Sequence, residues 1–309
     1  MKKILVTGAT GFIGSQTLTI LNQKGYEVHA VTSKGHNRIH KTTDIIWHCF
    51  DLLKTSEIEE LFENVKPDEM LHLAWYAVPG KYVNSEENLL WVQSSIVMLK
   101  NFNNNGGKRF VFAGTCAQYD LGYGYLDEER TPLRPNSLYG VCKLSFENIA
   151  QKYCNSNGIS FASGRIFYLY GEMEKGNRII PYVINCLLNN EIAHCSHGNQ
   201  IRDFLNVKDV ACAFVEILQS NIEGSINIGS GEGVKLKNIL LKVGEKLGKK
   251  DLIHFGDIKT LLEEPNMIVA NNKRLMNETN WTQKFYLDNG LDETINWWIK
   301  SSSIEMIKK

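Results

Sequence analysis

The stretch KILVTGATGFIGSQTLTILNQKGYEVHAV, residues 3–31, decides the fold. Residues 3–7 form a short apolar run with the β-branched bias of a buried strand. Residues 15–24 carry leucines at helical spacing and stop at Gly25, and residues 27–31 again have the pattern of a strand. Strand, glycine turn, helix and strand in this order predict the opening βαβ unit of a dinucleotide-binding sheet.

Each glycine of the turn has a physical role. Gly8 allows a sharp exit from the strand, Gly11 allows close approach of a pyrophosphate, and Gly14 allows the helix to pack close to the sheet. Phosphates then lie at the helix N-terminus, where N–H groups and the helix dipole favour negative charge. A tight turn in any α/β protein can contain similar glycines, so the prediction depends on its strand–turn–helix context. The candidate cofactor contacts here are Gly8, Thr10, Gly11, Phe12 and Ile13.

Several motifs resemble one protein family. The G-x-x-G-x-x-G spacing, with Thr7 before it and Phe12-Ile13 inside it, resembles the extended short-chain dehydrogenase/reductase (NAD-dependent epimerase/dehydratase) family. Its members act mostly on nucleotide sugars. Residues 165–171, 202–210 and 227–231 resemble three further segments of that family, so the resemblance covers nearly the whole chain. Within the family, the chain resembles reductases of nucleotide-linked 4-keto-6-deoxy sugars.

Composition limits the class of protein. The chain has 309 residues, is 43% hydrophobic and has a formal net charge of zero, which suits a globular protein and argues against nucleic acid as the main partner. No apolar run is long enough to span a membrane, and Met1-Lys2-Lys3 leads directly into the first strand. We therefore expect a cytoplasmic protein. Seven irregularly spaced cysteines without a C-x-x-C motif indicate free thiols and no zinc or other metal site.

The order of elements predicts an α/β fold. Strands and helices alternate up to about residue 170, which indicates a doubly wound parallel (Rossmann) sheet over residues 1–170. Residues 171–309 are expected to form a smaller substrate-binding lobe over the carboxyl ends of the strands, with some segments returning to the large domain. Within it, we expect a helix over residues 234–247. A homodimer is expected from the resemblance.

The residues after the second strand indicate which dinucleotide binds. NAD-binding relatives usually have an acidic residue there, which accepts from the ribose 2′-OH. Here Thr32 and Ser33 supply hydroxyls, and Lys34 and Arg38 supply positive charge, a combination that suits the 2′-phosphate of NADP or NADPH. A solvated basic loop is the alternative interpretation, and NAD or NADH remains possible. The resemblance adds Asp51 and Leu52 at the adenine and Leu73 and Ala74 beside the cofactor.

Tyr139 and Lys143 are the candidate catalytic pair, because positions i and i+4 share one helix face. A phenol has a pKa near ~10, and a neighbouring ammonium lowers the pKa by favouring the phenolate. Tyr139 can then exchange a proton with a substrate oxygen, and Lys143 can also bind the nicotinamide ribose. Thr115, at the end of a core strand, can align the same oxygen. His72 is a possible catalytic base by residue type, but we interpret this strand histidine as structural.

Departures from the family pattern narrow the reaction. The 4,6-dehydratases carry Thr-Asp-Glu where this chain has Thr115-Cys116-Ala117, so elimination of water lacks its acid and base. Fucose-forming epimerase-reductases carry a cysteine where Ala117 stands, so epimerisation by a thiol is unsupported. Leu261 stands roughly where many epimerases carry an arginine. The candidate substrate contacts are Thr115, Cys116, Ala117, Tyr168 (which replaces a family Asn), Arg178 and Arg202, whose family counterpart binds the diphosphate.

These observations predict an enzyme that uses NADPH to reduce the 4-keto group of a 4-keto-6-deoxyhexose linked to dTDP, CDP or GDP. Such a reaction belongs to deoxysugar and lipopolysaccharide biosynthesis. A nucleotide-sugar 4-epimerase with tightly bound NAD is the first alternative. A regulatory protein that binds a dinucleotide without turnover is the second.

Overall fold

The computed structural model describes residues 1–33, 44–259 and 264–307. Its helices are α1 Gly14–Gln23, α2 Thr55–Val65, α3 Glu87–Asn104, α4 Leu138–Asn157, α5 Ile179–Leu188, α6 Val207–Gln219, α7 Leu236–Leu247, α8 Lys273–Glu278 and α9 Leu287–Ile307. Its strands are β1 Lys3–Thr7, β2 Glu27–Thr32, β3 Ile45–Cys49, β4 Glu69–His72, β5 Arg109–Thr115, β6 Tyr125–Leu126, β7 Ser160–Ile166, β8 Tyr168–Tyr170, β9 Ala193–Cys195, β10 Ile201–Arg202, β11 Phe204–Asn206, β12 Gly224–Ile228, β13 Val234–Lys235, β14 Ile253–Phe255 and β15 Met267–Ala270.

Seven parallel strands form the central sheet in the order β12-β7-β5-β4-β1-β2-β3. The chain starts in the middle with β1, builds outward through β2 and β3, and then crosses to β4 on the other side. The strand order therefore reverses between β1 and β4, which opens a crevice at their carboxyl ends. This arrangement confirms the predicted doubly wound α/β fold.

Helices cover both faces of the sheet. On one face, α1 packs against α6, and their apolar side chains join those of β1, β2 and β12 in one core. On the other face, α2, α3 and α4 cover a second core rich in phenylalanine. A third core is formed by α5, α7 and α9 in the C-terminal part of the chain. Parallel strands covered on both faces explain the continuous apolar runs of the sequence.

Two segments after residue 171 need separate mention. Strand β12 pairs with β7, so this part of the chain returns to the large sheet as expected. The helix expected over residues 234–247 begins only at Leu236, so its predicted start was wrong. Val234 and Lys235 instead pair antiparallel with Arg202 and Ile201, because sheet hydrogen bonding overrides helix propensity at these positions.

All seven cysteines are free. Among the described residues, no helix is long and apolar enough to cross a membrane.

Candidate active site

The glycine turn has the geometry that its sequence predicts. Gly8 has a φ of +68°, and a Cβ there would lie 2.8 Å from the Ala74 nitrogen. A Cβ at Gly14 would lie 2.1 Å from the Gly8 carbonyl oxygen, so only glycine lets α1 start this close to β1. Thr10 and Gly11 are exposed at the tip of the turn. The result is a concave backbone surface at a helix N-terminus, which fits the pyrophosphate of a dinucleotide.

His72 stabilises the end of β4. It is fully buried, and its two ring nitrogens contact the Thr7 hydroxyl at 2.7 Å and the Ser95 hydroxyl at 2.9 Å. The Thr7 hydroxyl also accepts a hydrogen bond from the Ala74 nitrogen at 3.2 Å, which fixes Leu73 and Ala74 beside the glycine turn. Burial lowers the pKa of His72 to about 3, so the imidazole is neutral. These contacts support our interpretation of His72 as structural.

The candidate adenosine contacts lie at the ends of β2 and β3. Thr32 is buried at the end of β2, and Ser33 is exposed beyond it. Asp51 accepts a hydrogen bond from the Leu53 nitrogen at 3.0 Å, and Leu52 is buried beside it. All four lie at or just after the carboxyl ends of these two strands. Lys34 and Arg38, the predicted contacts to a 2′-phosphate, and Leu261 lie outside the described residues.

Thr115 and Tyr139 come together from different elements. Thr115 ends β5 with its hydroxyl accepting from the Ala117 nitrogen at 3.2 Å, and Tyr139 lies in the first turn of α4, which Ser137 caps. The Thr115 hydroxyl lies close enough to the Tyr139 phenol to act on its pKa, which it lowers. Burial nevertheless raises the pKa of Tyr139 above its ordinary value, and the nearby Tyr82 phenol acts in the same direction.

Lys143 differs from its predicted role in one respect. We expected its ammonium to lower the pKa of Tyr139, but burial outweighs any such effect. The Lys143 Nζ lies 5.9 Å from the Tyr139 ring centroid, donates to the Ala113 carbonyl oxygen at 2.8 Å and lies 3.9 Å from the centroid of the Trp75 ring. Its own pKa is lowered well below its ordinary value by burial.

Cys116 and Ala117 continue from Thr115 into the site. Burial raises the pKa of the Cys116 thiol to about 12, so this group stays protonated near neutral pH and is neither a base nor a thiolate nucleophile. Cys116 is close enough to influence the pKa values of both Tyr139 and Tyr168. A Cβ at Gly140 would lie 2.4 Å from the Ala117 carbonyl oxygen, so this glycine lets α4 approach the strand end.

Tyr168 and Arg202 form a second part of the site. The Arg202 guanidinium lies 5.4 Å from the Tyr168 ring centroid, and burial raises the pKa of Tyr168 to about 12. Arg202 is only 3% exposed, and its guanidinium donates to the Glu264 carboxylate at 2.8 Å. The sequence predicted Arg202 but gave no indication of Glu264, which lies 62 residues further along the chain.

Tyr82 is a site residue that the sequence reasoning missed. Its ring packs edge-on against Tyr139, with centroids 4.8 Å apart, and the Arg178 guanidinium lies 5.7 Å from the Tyr82 centroid. Tyr82 belongs to the connection between β4 and α3. The only sequence signal for it was an aromatic side chain in a segment expected to flank the cofactor. Tyr82 thus links the predicted contact Arg178 to the catalytic pair.

The family-like segments after residue 200 hold this edge of the sheet together. The Asp203 carboxylate accepts from the Ser230, Gly231 and Ala270 nitrogens at 2.7–3.1 Å. Tyr119, four residues after Thr115, is buried and donates to the Asn227 side chain at 2.8 Å. These residues support the site without facing it.

Comparisons with known proteins identify the family of the chain. The family model described as "NAD dependent epimerase/dehydratase family" matches residues 4–229. The chain is 30% identical over 310 residues to the CDP-abequose synthase of Salmonella typhimurium strain LT2, covering 94% of this chain and 97% of the relative. It is 29% identical over 311 residues to the dTDP-4-dehydro-6-deoxyglucose reductase of Escherichia coli, covering 94% and 96%.

Among solved structures, the UDP-glucose 4-epimerase of Thermus thermophilus in complex with NAD has a TM-score of 0.83 at 25% identity. The likeness covers 96% of this chain and 99% of that one. The fold, the glycine turn and the family match agree, and the chain therefore belongs to the NAD dependent epimerase/dehydratase family.

Proposed function

We propose that this chain is a cytoplasmic NADPH-dependent reductase that acts on the 4-keto group of a nucleotide-linked 4-keto-6-deoxyhexose. The observation that carries the proposal is the approach of the Thr115 hydroxyl, at the end of β5, to the Tyr139 phenol in the first turn of α4, whose pKa burial holds above its ordinary value. A phenol that stays protonated near neutral pH suits the role of proton donor to a carbonyl oxygen. Of the two relatives described above, one is named a dTDP-4-dehydro-6-deoxyglucose reductase and the other a CDP-abequose synthase.

Each residue then has a defined part in the reaction. The dinucleotide would be bound by the glycine turn, by the ends of β2 and β3, and by Leu73-Ala74. Its nicotinamide supplies hydride chemistry when bound. Thr115 orients the ketone oxygen, and Tyr139 donates the proton that this oxygen gains. Lys143, in its protonated form, would supply positive charge next to the pair, where negative charge develops during reduction. Arg202 would bind the diphosphate after exchanging Glu264 for it.

The dehydratase and thiol-epimerase reactions lack suitable groups. Positions 116 and 117 have no carboxylate, and the Cys116 thiol has a pKa of about 12. Elimination of water needs an acid and a base at this place, and ring epimerisation by a thiol needs a thiolate. Reduction of a ketone needs no carboxylate at positions 116 and 117 and no thiolate, because Tyr139 can supply the proton. Thr115, Tyr139 and Lys143 are therefore the residues left to act in the reaction.

A nucleotide-sugar 4-epimerase with tightly bound NAD is the second candidate. The observation that favours it is the likeness to a solved 4-epimerase in complex with NAD. Such an enzyme would oxidise and re-reduce one sugar with the same Tyr139 and Lys143. A dinucleotide-binding regulator without turnover is disfavoured by the presence of Thr115, Tyr139 and Lys143 together, because binding alone does not require a proton donor at the site.

The decisive experiment follows absorbance at 340 nm. The purified protein is mixed with NADPH and, separately, with CDP-, dTDP- and GDP-linked 4-keto-6-deoxyhexose. We expect one equivalent of NADPH to be consumed for each equivalent of one of these substrates. If the protein instead contains bound NAD and interconverts two sugars without net change at 340 nm, it is an epimerase. If no sugar nucleotide reacts, the regulatory alternative stands.

We also propose a homodimer. Helices α3 and α4 pack against each other, and both expose apolar side chains, at Leu89 and Leu90 on α3 and at Val141 and Ile149 on α4. Adjacent exposed apolar groups of this kind suit burial against a second copy of the same face. Light scattering should give twice the mass of the chain, and Val141→Glu should give the monomer mass. A monomeric parent protein would contradict the proposal.

A further inference from the structure

Lys143 has few polar partners for a buried ammonium. The residue is 3% exposed, and its Nζ donates to the Ala113 carbonyl oxygen at 2.8 Å. Its other close contacts are the faces of two rings, Trp75 at 3.9 Å and Phe112 at 4.6 Å from the ring centroids. A cation over an aromatic face is stabilised by the ring quadrupole, and most strongly over an indole.

The titratable groups described around Lys143 do not pair directly with its ammonium, so the aromatic rings are its main stabilising neighbours. Glu147, one turn along α4, is the carboxylate whose field reaches Lys143, but its oxygens accept from Arg165, Gln118, Ser163 and Ser225. His72 approaches from β4 as a neutral imidazole, because its pKa is about 3. Tyr139 approaches from the same helix as a protonated phenol. Burial itself disfavours the ammonium.

The Trp75 ring is fixed in the orientation that it presents to Lys143. Its Nε1–H donates to the Asn88 side-chain oxygen at 2.9 Å. Asn88 is fully buried, and its side-chain nitrogen donates to the Tyr82 and Ser85 carbonyl oxygens at 2.7 and 2.8 Å. The neighbouring Trp91 ring lies 6.3 Å away, centroid to centroid, so the directional bond that orients the indole is the one to Asn88. The buried Asn88 side chain therefore connects the Trp75 indole, which contacts Lys143, to Tyr82, which packs on Tyr139.

We propose that Trp75 is a positioning residue for the reaction, whose indole face, fixed by Asn88, keeps Lys143 charged and directed at the active site. The proposal rests on the role given to Lys143 in the proposed function. It assigns to Trp75 an effect that reaches the substrate only through Lys143.

The first test measures the Lys143 pKa without cofactor or substrate. The protein is labelled with [13Cε]-lysine, and the Lys143 resonance is identified by its loss in Lys143→Met. We expect Trp75→Leu to lower the Lys143 pKa by about 0.5–1 unit, because the ammonium loses a cation–π contact. Trp75→Phe should give a smaller decrease, since it keeps an aromatic face. The matched control Trp91→Leu removes an indole that contacts Trp75 and should leave the Lys143 pKa unchanged.

The second test follows kcat against pH. The basic limb of the profile should move to lower pH in Trp75→Leu by the same amount as the Lys143 pKa, while the KM for the sugar nucleotide changes by less than about threefold. An unchanged Lys143 pKa in Trp75→Leu, or an equal decrease in Trp91→Leu, would overturn the proposal. If Trp75→Leu does not fold, an unchanged pKa in Trp75→Phe overturns it equally.

The two proposals fail in different ways. If Lys143→Met keeps the parent kcat, the proposed function is wrong in its use of Lys143, whatever Trp75 does to the resonance. If Lys143→Met is inactive and Trp75→Leu has parent pKa and kcat values, the proposed function stands and only the role of Trp75 is lost.

Discussion

The ring of Tyr82 meets the ring of Tyr139 edge-on, with centroids 4.8 Å apart and an interplanar angle of 88°. The first residue comes from the connection after β4 and the second from the first turn of α4. This contact restricts the orientation of the Tyr139 ring on the side of the site that faces Tyr82. Edge-to-face aromatic pairs contribute about 0.5–1.5 kcal/mol beyond their buried area.

Tyr82→Leu should therefore lower kcat by about 2–12-fold, the rate equivalent of that contact. Tyr82→Phe keeps the ring and should retain kcat within about twofold. Steady-state kinetics at saturating substrate provide the measurement. Parent kcat in the leucine variant would show that the ring does not orient Tyr139.

Tyr139→Phe should lower kcat by roughly 10²–10⁴-fold, the usual effect of removing a positioned acid, with dinucleotide affinity nearly unchanged. Tyr119→Phe is the matched control, because it removes a buried phenol that bonds Asn227 outside the site. It should lower the free energy of unfolding by about 1–3 kcal/mol and leave kcat unchanged. Turnover of Tyr139→Phe within tenfold of the parent would remove Tyr139 from the proposed role.

Arg202→Ala should raise the KM for the sugar nucleotide by about 10–150-fold, since a charge-assisted contact contributes roughly 1.5–3 kcal/mol. Glu264→Gln should lower the KM by about 1.4–5-fold, because a partly exposed ion pair contributes only about 0.2–1 kcal/mol against release of Arg202. Arg274→Ala, which removes an arginine paired with Glu278, should leave the KM unchanged. Loss of dinucleotide affinity in Arg202→Ala would contradict its assignment to the diphosphate.

The parent protein should prefer NADPH over NADH by at least about tenfold in kcat/KM, or about 1.4 kcal/mol. Thr32→Asp should reverse this preference, because a carboxylate at the end of β2 repels a 2′-phosphate. Asp51→Asn, on the neighbouring strand end, should leave the NADPH/NADH ratio unchanged. Real reduction with a preference for NADH would refute only the interpretation of residues 32–38.

His72 should make stability depend on pH. Its pKa is lowered to about 3 in the folded chain, against 6.5 for an ordinary histidine, so between these values the unfolded chain binds more protons. The free energy of unfolding therefore falls as pH decreases, by about 2 kcal/mol between pH 7 and pH 5 from this residue alone. Urea unfolding should show the difference between parent and His72→Gln shrinking by this amount. An equal shrinkage in His197→Gln, which changes an exposed histidine, would contradict the assignment.

The sequence by itself determined the doubly wound sheet, the glycine turn and the placement of Tyr139 and Lys143 one turn apart on the same helix. These features depend on local rules: strand and helix periodicity, glycine at positions where a Cβ would collide with Gly8 or Ala74, and i,i+4 spacing on one helix. Local rules apply to any chain that contains the pattern, so they can be recognised without a structure.

Tertiary structure decided the electrostatics of the site. Burial, which no short motif encodes, raises the pKa of Tyr139 and lowers that of Lys143. The sequence spacing alone had suggested that the Lys143 ammonium would lower the pKa of Tyr139. Three contacts join residues that are far apart in the sequence: Tyr82 with Tyr139, Trp75 with Lys143, and Glu264 with Arg202. Val234, which was predicted to start a helix, instead pairs with Arg202 in a sheet. Such contacts depend on which strand ends and connections the fold places together, and desolvation depends on everything that packs around them.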